Sequence, residues 1–176
     1  MSADRPRLFY TDSSLIGDGA ARVVGDEAAH LARALRMRPG DRCRIATERG
    51  EEYLAELRTV SAKETEAEIL ERLAPRPAPP LSIALGLPLI KGDRFEWVLE
   101  KGTELGVDRF FPLTLSRCEV HIPENKTAAR AERWRRIVRE SAKQCDRVPP
   151  PEAGAPAPLD QFLRETENFD LKLVAW

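Results

Sequence analysis

The residues best suited to chemistry lie between positions 126 and 147, where eight Lys or Arg face three acids in a chain whose net charge is only −1. Residues 50–73 have the opposite balance, three bases against seven acids, so the basic character is local. A local cationic patch is what a polyanion such as RNA requires; a solvated helix face is the plain alternative. On a helical projection Arg133, Arg136, Glu140, Lys143 and Arg147 fall within about a quarter-turn of one another. The opposite stripe holds Trp134, Ile137, Val138, Ser141 and Cys145. Such a ridge can meet phosphates through lysine point charges and planar arginine forks. Glu140 and Gln144 stand one turn apart in the same stretch. Lys91 is a second candidate cation, because it follows an apolar run at the position where open α/β sheets bind ligands. Arg33, Arg36 and Arg38 form a third group, which in isolation reads as solubilising charge.

Several chemistries are excluded. There is no glycine loop ending in Lys-Ser/Thr for nucleotide phosphates and no glycine-flanked nucleophilic serine. His30 and His121 stand apart, and Cys43, Cys118 and Cys145 have no ligand spacing, so neither a zinc site nor a disulfide framework has support. Unpaired thiols suit a reducing cytosol. The most apolar run, Leu81–Leu89, is about half the length of a membrane span. No charged-then-apolar leader opens the chain, and the expectation is a cytoplasmic protein.

The elements that must position these residues follow from periodicity. Leu81–Leu89 reads as a strand covered on both faces, and Arg109–Leu115 as another. Between them Phe95, Val98, Leu99, Gly102 and Leu105 recur at helical spacing, with Asp93 and Glu96 as a capping box and Gly106 as a left-handed stop. Strand, helix, strand with short connections makes a βαβ unit with parallel strands. A long helix is predicted over Thr127–Cys145, a short one over Leu159–Thr166, and a third buried strand over Phe169–Trp176. Upstream, Arg7–Tyr10, Ala21–Val24, Arg42–Ala46, Glu52–Leu57 and Thr65–Leu70 read as the strands of a small antiparallel barrel, with one helix from Gly25 to Leu35. Ala74–Pro80 carries four prolines in seven residues and marks the boundary as a stiff connector.

Four ordered blocks carry a family resemblance. They are Lys91-Gly92-Asp93-Arg94 through Glu100-Lys101-Gly102-Thr103-Glu104-Leu105-Gly106-Val107; Ser116-Arg117-Cys118-Glu119-Val120; Glu140-Ser141-Ala142-Lys143-Gln144-Cys145-Asp146-Arg147-Val148-Pro149; and His30–Asp41. The chain resembles the ribosomal RNA small subunit methyltransferase E family of the SPOUT superfamily of knotted methyltransferases. That resemblance implies an α/β protein, a small amino-terminal PUA-like β-barrel over 1–73 followed, after linker 74–80, by an incomplete SPOUT-type (Rossmann-like, parallel sheet) domain over 81–176. It implies methyl transfer from S-adenosylmethionine to N3 of a uridine in small-subunit rRNA, free or in the assembled subunit, by a homodimer with no metal and no membrane. In the family the barrel holds RNA, which adds Arg7 and His30 to Arg33, Arg36, Arg38, Lys91, Arg133, Arg136, Lys143 and Gln144 as RNA contacts. Uracil N3 carries a proton at neutral pH, so the matching Arg117 and Arg147 would stabilise the developing anion. Glu140 would orient the base; it and Gln144 could equally brace nearby loops. Arg94 and Lys101 could be surface charges.

The family's glycine-rich proline-glutamate-glycine-glycine loop and its leucine-glycine-arginine block do not occur in these residues. The expectation is a truncated product without its cofactor pocket. A non-catalytic RNA-binding module and an unrelated α/β interaction protein are the alternatives.

Overall fold

Alternating apolar side chains in the first part of the chain form strands, because period-two alternation buries one face of an extended segment. The computed structural model describes residues 5–77, 79–91, 93–118 and 120–175. Ala78 of the linker, Gly92 and Glu119 of the family blocks, and Trp176 of the anticipated last strand lie outside the described residues. One compact unit comprises the chain up to Pro79 together with Ala142–Pro150; the other comprises Pro80–Ser141 and Pro151–Trp176.

In the first unit β1 (Leu8–Thr11), β2 (Ile16–Gly17), β3 (Ala20–Val24), β4 (Arg42–Thr47), β5 (Glu52–Val60) and β6 (Glu64–Arg72) form one sheet in the order β1-β4-β5-β6-β3-β2. Thr11 Oγ1 donates to the Arg22 carbonyl, so β1 reaches β3 and the sheet curls. Register shifts at Leu54/Ala55 and Leu57/Thr59 bend the long β5–β6 pair further. The barrel is not wholly antiparallel as the sequence suggests. Leu8 pairs with Arg44 and Thr11 with Thr47 in parallel, because β2, β3 and the following helix return the chain before it enters β4. Phe9, Val23, Cys43, Ile45, Ala55 and Leu57 fill the interior, with Ala28 and Leu31 packed among them.

The predicted Gly25–Leu35 helix is α1 (Gly25–Ala29) running into a π turn over His30–Ala34. Leu35 N–H bonds to the His30 carbonyl at 3.1 Å, one residue beyond α spacing. The chain then leaves through Arg36 at φ 52°, in the left-handed region.

The βαβ unit forms as periodicity requires: β7 (Ala84–Pro88), α2 (Arg94–Leu105) and β8 (Arg109–Thr114), with the strands parallel. β7 is shorter than the apolar run and only partly buried, and Leu81 and Ile83 before it are exposed. The stop works as expected. Gly106, at φ 102°, ends α2 with its N–H on Thr103, and Val107 N–H reaches the Gly102 carbonyl at 2.9 Å. The capping box does not form. Asp93 is itself helical, at φ −79° and ψ −3°, and caps with no side-chain bond; its carbonyl instead takes the Trp97 N–H. Glu96 is drawn away by Arg133.

α3 (Glu124–Gln144) turns Ala131, Trp134, Val138 and Ser141 inward, and Ser141 Oγ donates to the Glu100 carbonyl of α2 at 3.0 Å. β8 serves two faces, as a strand must. Phe110 packs with Leu99, Trp134 and Val138, while Phe111 meets Phe162 of α4 (Leu159–Glu165) edge-on at 5.1 Å between ring centroids. The anticipated third strand is absent over 169–175, where Leu171, Leu173 and Val174 are exposed. β8 is already paired on both edges, by β7 on one and by the short β9 (Glu152–Ala153) and β10 (Ala157–Pro158) on the other. Among the described residues, no helix is long and apolar enough to cross a membrane.

Candidate functional site

In the second unit a cavity of about 400 Å³ opens beyond the carboxyl end of β7, lined among others by Lys91, Asp93, Glu96, Arg130, Arg133 and Trp134. It lies at the carboxyl end of a parallel strand, where open α/β sheets leave a crevice, and Val120, Ile122 and the α3 residues Arg130, Arg133 and Trp134 form its other wall. Phe95 and Trp134 pack at 4.6 Å between ring centroids, and both are buried. Arg133 lies across one wall with its fork on Glu96: Nε to Oε1 is 2.6 Å and Nη2 to Oε2 is 2.8 Å. The bonds from Glu96, then its charge, hold the Arg133 guanidinium above its ordinary pKa. That arginine is therefore a clamp between α2 and α3, a different engagement from the phosphate contact its place on the ridge suggests. Arg130, one turn earlier and exposed, is a lining cation that the ridge pattern did not select.

Arg117 is exposed in the turn after β8, closed by Cys118 N–H on the Leu115 carbonyl. Arg136 is exposed on α3 and Glu140 is half-buried there; neither lines the cavity.

The first unit holds the other candidates. Arg7, Arg33, Arg36 and Arg38 are exposed, and His30 at the head of the π turn is half-buried. Gln144, the last residue of α3, is exposed. Lys143 departs from the ridge picture: its ammonium meets Glu27 of α1 at 3.0 Å, and the two side chains are only 11% and 13% exposed. Arg147 follows Asp146, which sits at φ 59°. Its carbonyl accepts from the Tyr10 hydroxyl at 2.5 Å, and its N–H donates to the Ala142 carbonyl at 2.9 Å. Burial of Tyr10 pushes its phenol well above the ordinary range, so it stays a donor.

An ionic network that sequence reasoning missed surrounds this turn. Arg44 is buried because both faces of β4 are covered, the far side by Leu8, Tyr10, Ala142 and Val148. It donates to Pro6 carbonyl at 2.9 Å, Glu52 at 2.6 Å and Asp146 at 2.5 Å. Arg76, from the proline-rich linker, bonds Glu52 at 3.0 Å and the Asp146 carbonyl, and Arg5 adds a further ion pair to Asp146. Burial alone would raise the pKa of Asp146; hydrogen bonds and charge from Arg44 and Arg76 outweigh it and hold the carboxyl below its usual range. The only signal in the sequence is Arg76 itself, a charge amid prolines.

A family model described as an RNA methyltransferase domain matches residues 77–176, and one described as an RNA methyltransferase PUA domain matches 25–70. Ribosomal RNA small subunit methyltransferase E of Bacillus subtilis is 30% identical over 154 residues, covering 88% of this chain and 60% of that protein. The same-named protein of Mycobacterium tuberculosis is 32% identical, covering 90% and 61%. The chain thus spans about three-fifths of the length of these curated relatives. Among solved structures, a Legionella pneumophila protein assigned as a methyltransferase and holding S-adenosylmethionine superposes with a TM-score of 0.85 at 31% identity, over 96% of this chain and 69% of that one. A ribosomal RNA small subunit methyltransferase E from Neisseria gonorrhoeae, also bound to S-adenosylmethionine, gives 0.80 at 27%, over 90% and 65%. In the cavity beyond β7 Lys91 and Arg130 stand against Asp93, and Arg133 is paired with Glu96, so the lining carries one net positive charge, which suits an anion better than a sulfonium. Among the described residues no cluster of three His, Cys, Asp or Glu could hold a metal ion.

Proposed function

Because the chain belongs to the RNA methyltransferase family and resembles ribosomal RNA small subunit methyltransferase E, we propose that it supplies the RNA-holding unit and part of the catalytic unit of an enzyme that methylates small-subunit rRNA in the cytoplasm. That membership overturns the reading as an unrelated α/β interaction protein. The observation that carries the proposal is the match to an RNA methyltransferase domain over the very residues that build the cationic cavity. S-adenosylmethionine, bound by two relatives, is the proposed methyl donor, and a homodimer the proposed assembly.

The residues described here are assigned the RNA side alone. Arg7, His30, Arg33, Arg36 and Arg38 form the RNA-holding set of the first unit. Lys91 and Arg130 offer cations at the cavity, with Arg136 on the ridge and Gln144 at its end. The proposed target is uridine N3. Losing its proton to a base leaves an anion spread over N3, O2 and O4, and a planar guanidinium from Arg117 or Arg147 can donate to O2 or O4 while N3 stays open to the methyl group. Glu140 is assigned to orienting the base.

The test is transfer of labelled methyl groups from S-adenosylmethionine into isolated small ribosomal subunits by the protein in its full natural length, with RNA affinity measured alongside. Arg117→Lys should lower the transfer rate much more than the affinity, since a point charge does not replace a fork. Binding to the subunits without any transfer by the unaltered protein would make it an RNA-binding module. Equal losses in both quantities would reduce Arg117 to a binding residue.

A further inference from the structure

Asp146 adopts a left-handed backbone, φ 59°, that side chains other than glycine, asparagine and aspartate seldom tolerate. A conformation of that kind persists where its surroundings over-determine it. Here they do. Arg44 holds one carboxylate oxygen at 2.5 Å and Arg76 lies 3.3 Å from the other. Arg76 also donates to the Asp146 carbonyl. Next to it, the Arg147 peptide is pinned at both ends, by Tyr10 at its carbonyl and by Ala142 at its N–H. Arg44 is in turn fixed by buried Glu52, so the grip rests on β4 and β5 and not on a surface loop.

We propose that Asp146 is a positioning residue: the two-arginine grip on its carboxylate, from β4 and from the linker, fixes the turn from which Arg147 presents its guanidinium to RNA. This rests on the reading of Arg147 as a guanidinium that holds the target uracil, a contact already made when RNA binds. Nothing about the ridge pattern required Asp146 to be an acid, since a solvent-facing loop would accept asparagine or glycine at positive φ equally well. An acid is needed because the guanidinium groups of Arg44 and Arg76, joined by that of Arg5, converge on it.

Asp146→Asn is the discriminating change, because it keeps the left-handed preference and the shape while removing the charge. Amide hydrogen exchange should accelerate at Arg147 by about tenfold or more, while the β4–β5 amides stay protected. Affinity for a labelled uridine-rich RNA hairpin should fall about tenfold, the value of one charge-assisted contact, and Arg147→Ala should fall similarly. The double variant should be no worse than either single one, since both remove the same contact. If Asp146→Asn also exposes the β4–β5 amides, Arg76→Lys serves instead, as it leaves Arg44 and Glu52 in place and must give the same pattern. Unchanged exchange at Arg147, or losses that simply add in the double variant, overturn the proposal. No effect of Arg147→Ala on RNA affinity overturns it too, but through the functional reading on which it rests, and accelerated exchange at Arg147 distinguishes that case.

Discussion

Replacing Gly102 by alanine sets two opposing effects against each other inside α2. Alanine is the better helix former by about 1 kcal/mol. The added Cβ, however, would stand 2.7 Å from Phe110 Cε1 and 2.9 Å from its Cζ, with Val107 Cγ2 at 3.4 Å. Ordinary carbon contacts lie near 3.5–4.0 Å, so the ring would have to retreat by about 1 Å. It has little room to do so, because Phe110 is 2% exposed and packs with Leu99, Trp134 and Val138, none of them more than 2% exposed. Overpacking of this kind costs about 1–3 kcal/mol, and a rigid ring on a central strand belongs in the upper half of that range. The net expectation is destabilisation by about 1–2 kcal/mol, or about 5–10 °C in Tm for a unit of this size. Fluorescence reads it selectively: among the described residues the tryptophans are Trp97 and Trp134, and both belong to the second unit. Phe110→Leu in the Gly102→Ala background should recover part of the loss, a coupling that independent sites would not show. A Gly102→Ala protein as stable as the parent would refute the packing account of why glycine occupies this position.

Three further outcomes follow from the geometry. Arg33→Ala with Arg36→Ala should lower the slope of log affinity against log salt for RNA by about 1.4–1.8, checked by filter binding; an unchanged slope removes these two arginines from the interface. Glu96→Gln should release Arg133 from its clamp, tightening RNA binding and steepening the same slope by about 0.7–0.9, and no change would mean that Arg133 never reaches the nucleic acid. Because the folded-state pKa of Asp146 is depressed, its contribution is present above the unfolded value of about 3.9 and is lost as pH falls through the folded one. The stability gap between the parent and Asp146→Asn should therefore close in acid below about pH 4, and denaturant titrations showing a gap that is constant from neutral to acid would contradict the ion pairs.

Local signals were legible in the sequence and distant ones were not. The apolar run before Lys91, the stripe from Phe95 to Gly102 and the stop at Gly106 each act within a few residues, and strand, helix and turn form there. The parallel pairing of β1 with β4 joins residues some three dozen apart and depends on how the chain is returned, which no alternation pattern encodes. Arg44 illustrates the limit. Its place in Arg42-Cys43-Arg44-Ile45 puts it on the polar side of a strand, and only the arrival of Ala142 and Val148 makes that side an interior. The same arrival converts Lys143 from a candidate phosphate contact into a partner for Glu27. Asp93 and Glu96 had the right spacing for a capping box, but Arg133 offers Glu96 a charged fork, and a charge-assisted pair outcompetes a backbone amide.

The return of Ala142–Pro150 to the first unit bears on how the protein is made. That unit is discontinuous in the chain: its sheet is synthesised early, yet Ala142, which joins Leu8, Tyr10 and Ala46 in a buried cluster, and Asp146, which meets the charge of Arg44, arrive only after the whole βαβ segment. Until then a nascent chain on the ribosome carries a buried-type arginine and glutamate with an incomplete set of partners and an uncovered apolar patch. Closing so long an excursion costs entropy that is recovered only when the segment docks, so the final folding step of the first unit should be slow and late. Cutting the chain within its proline-rich linker would not liberate a finished amino-terminal module, only a sheet missing one wall.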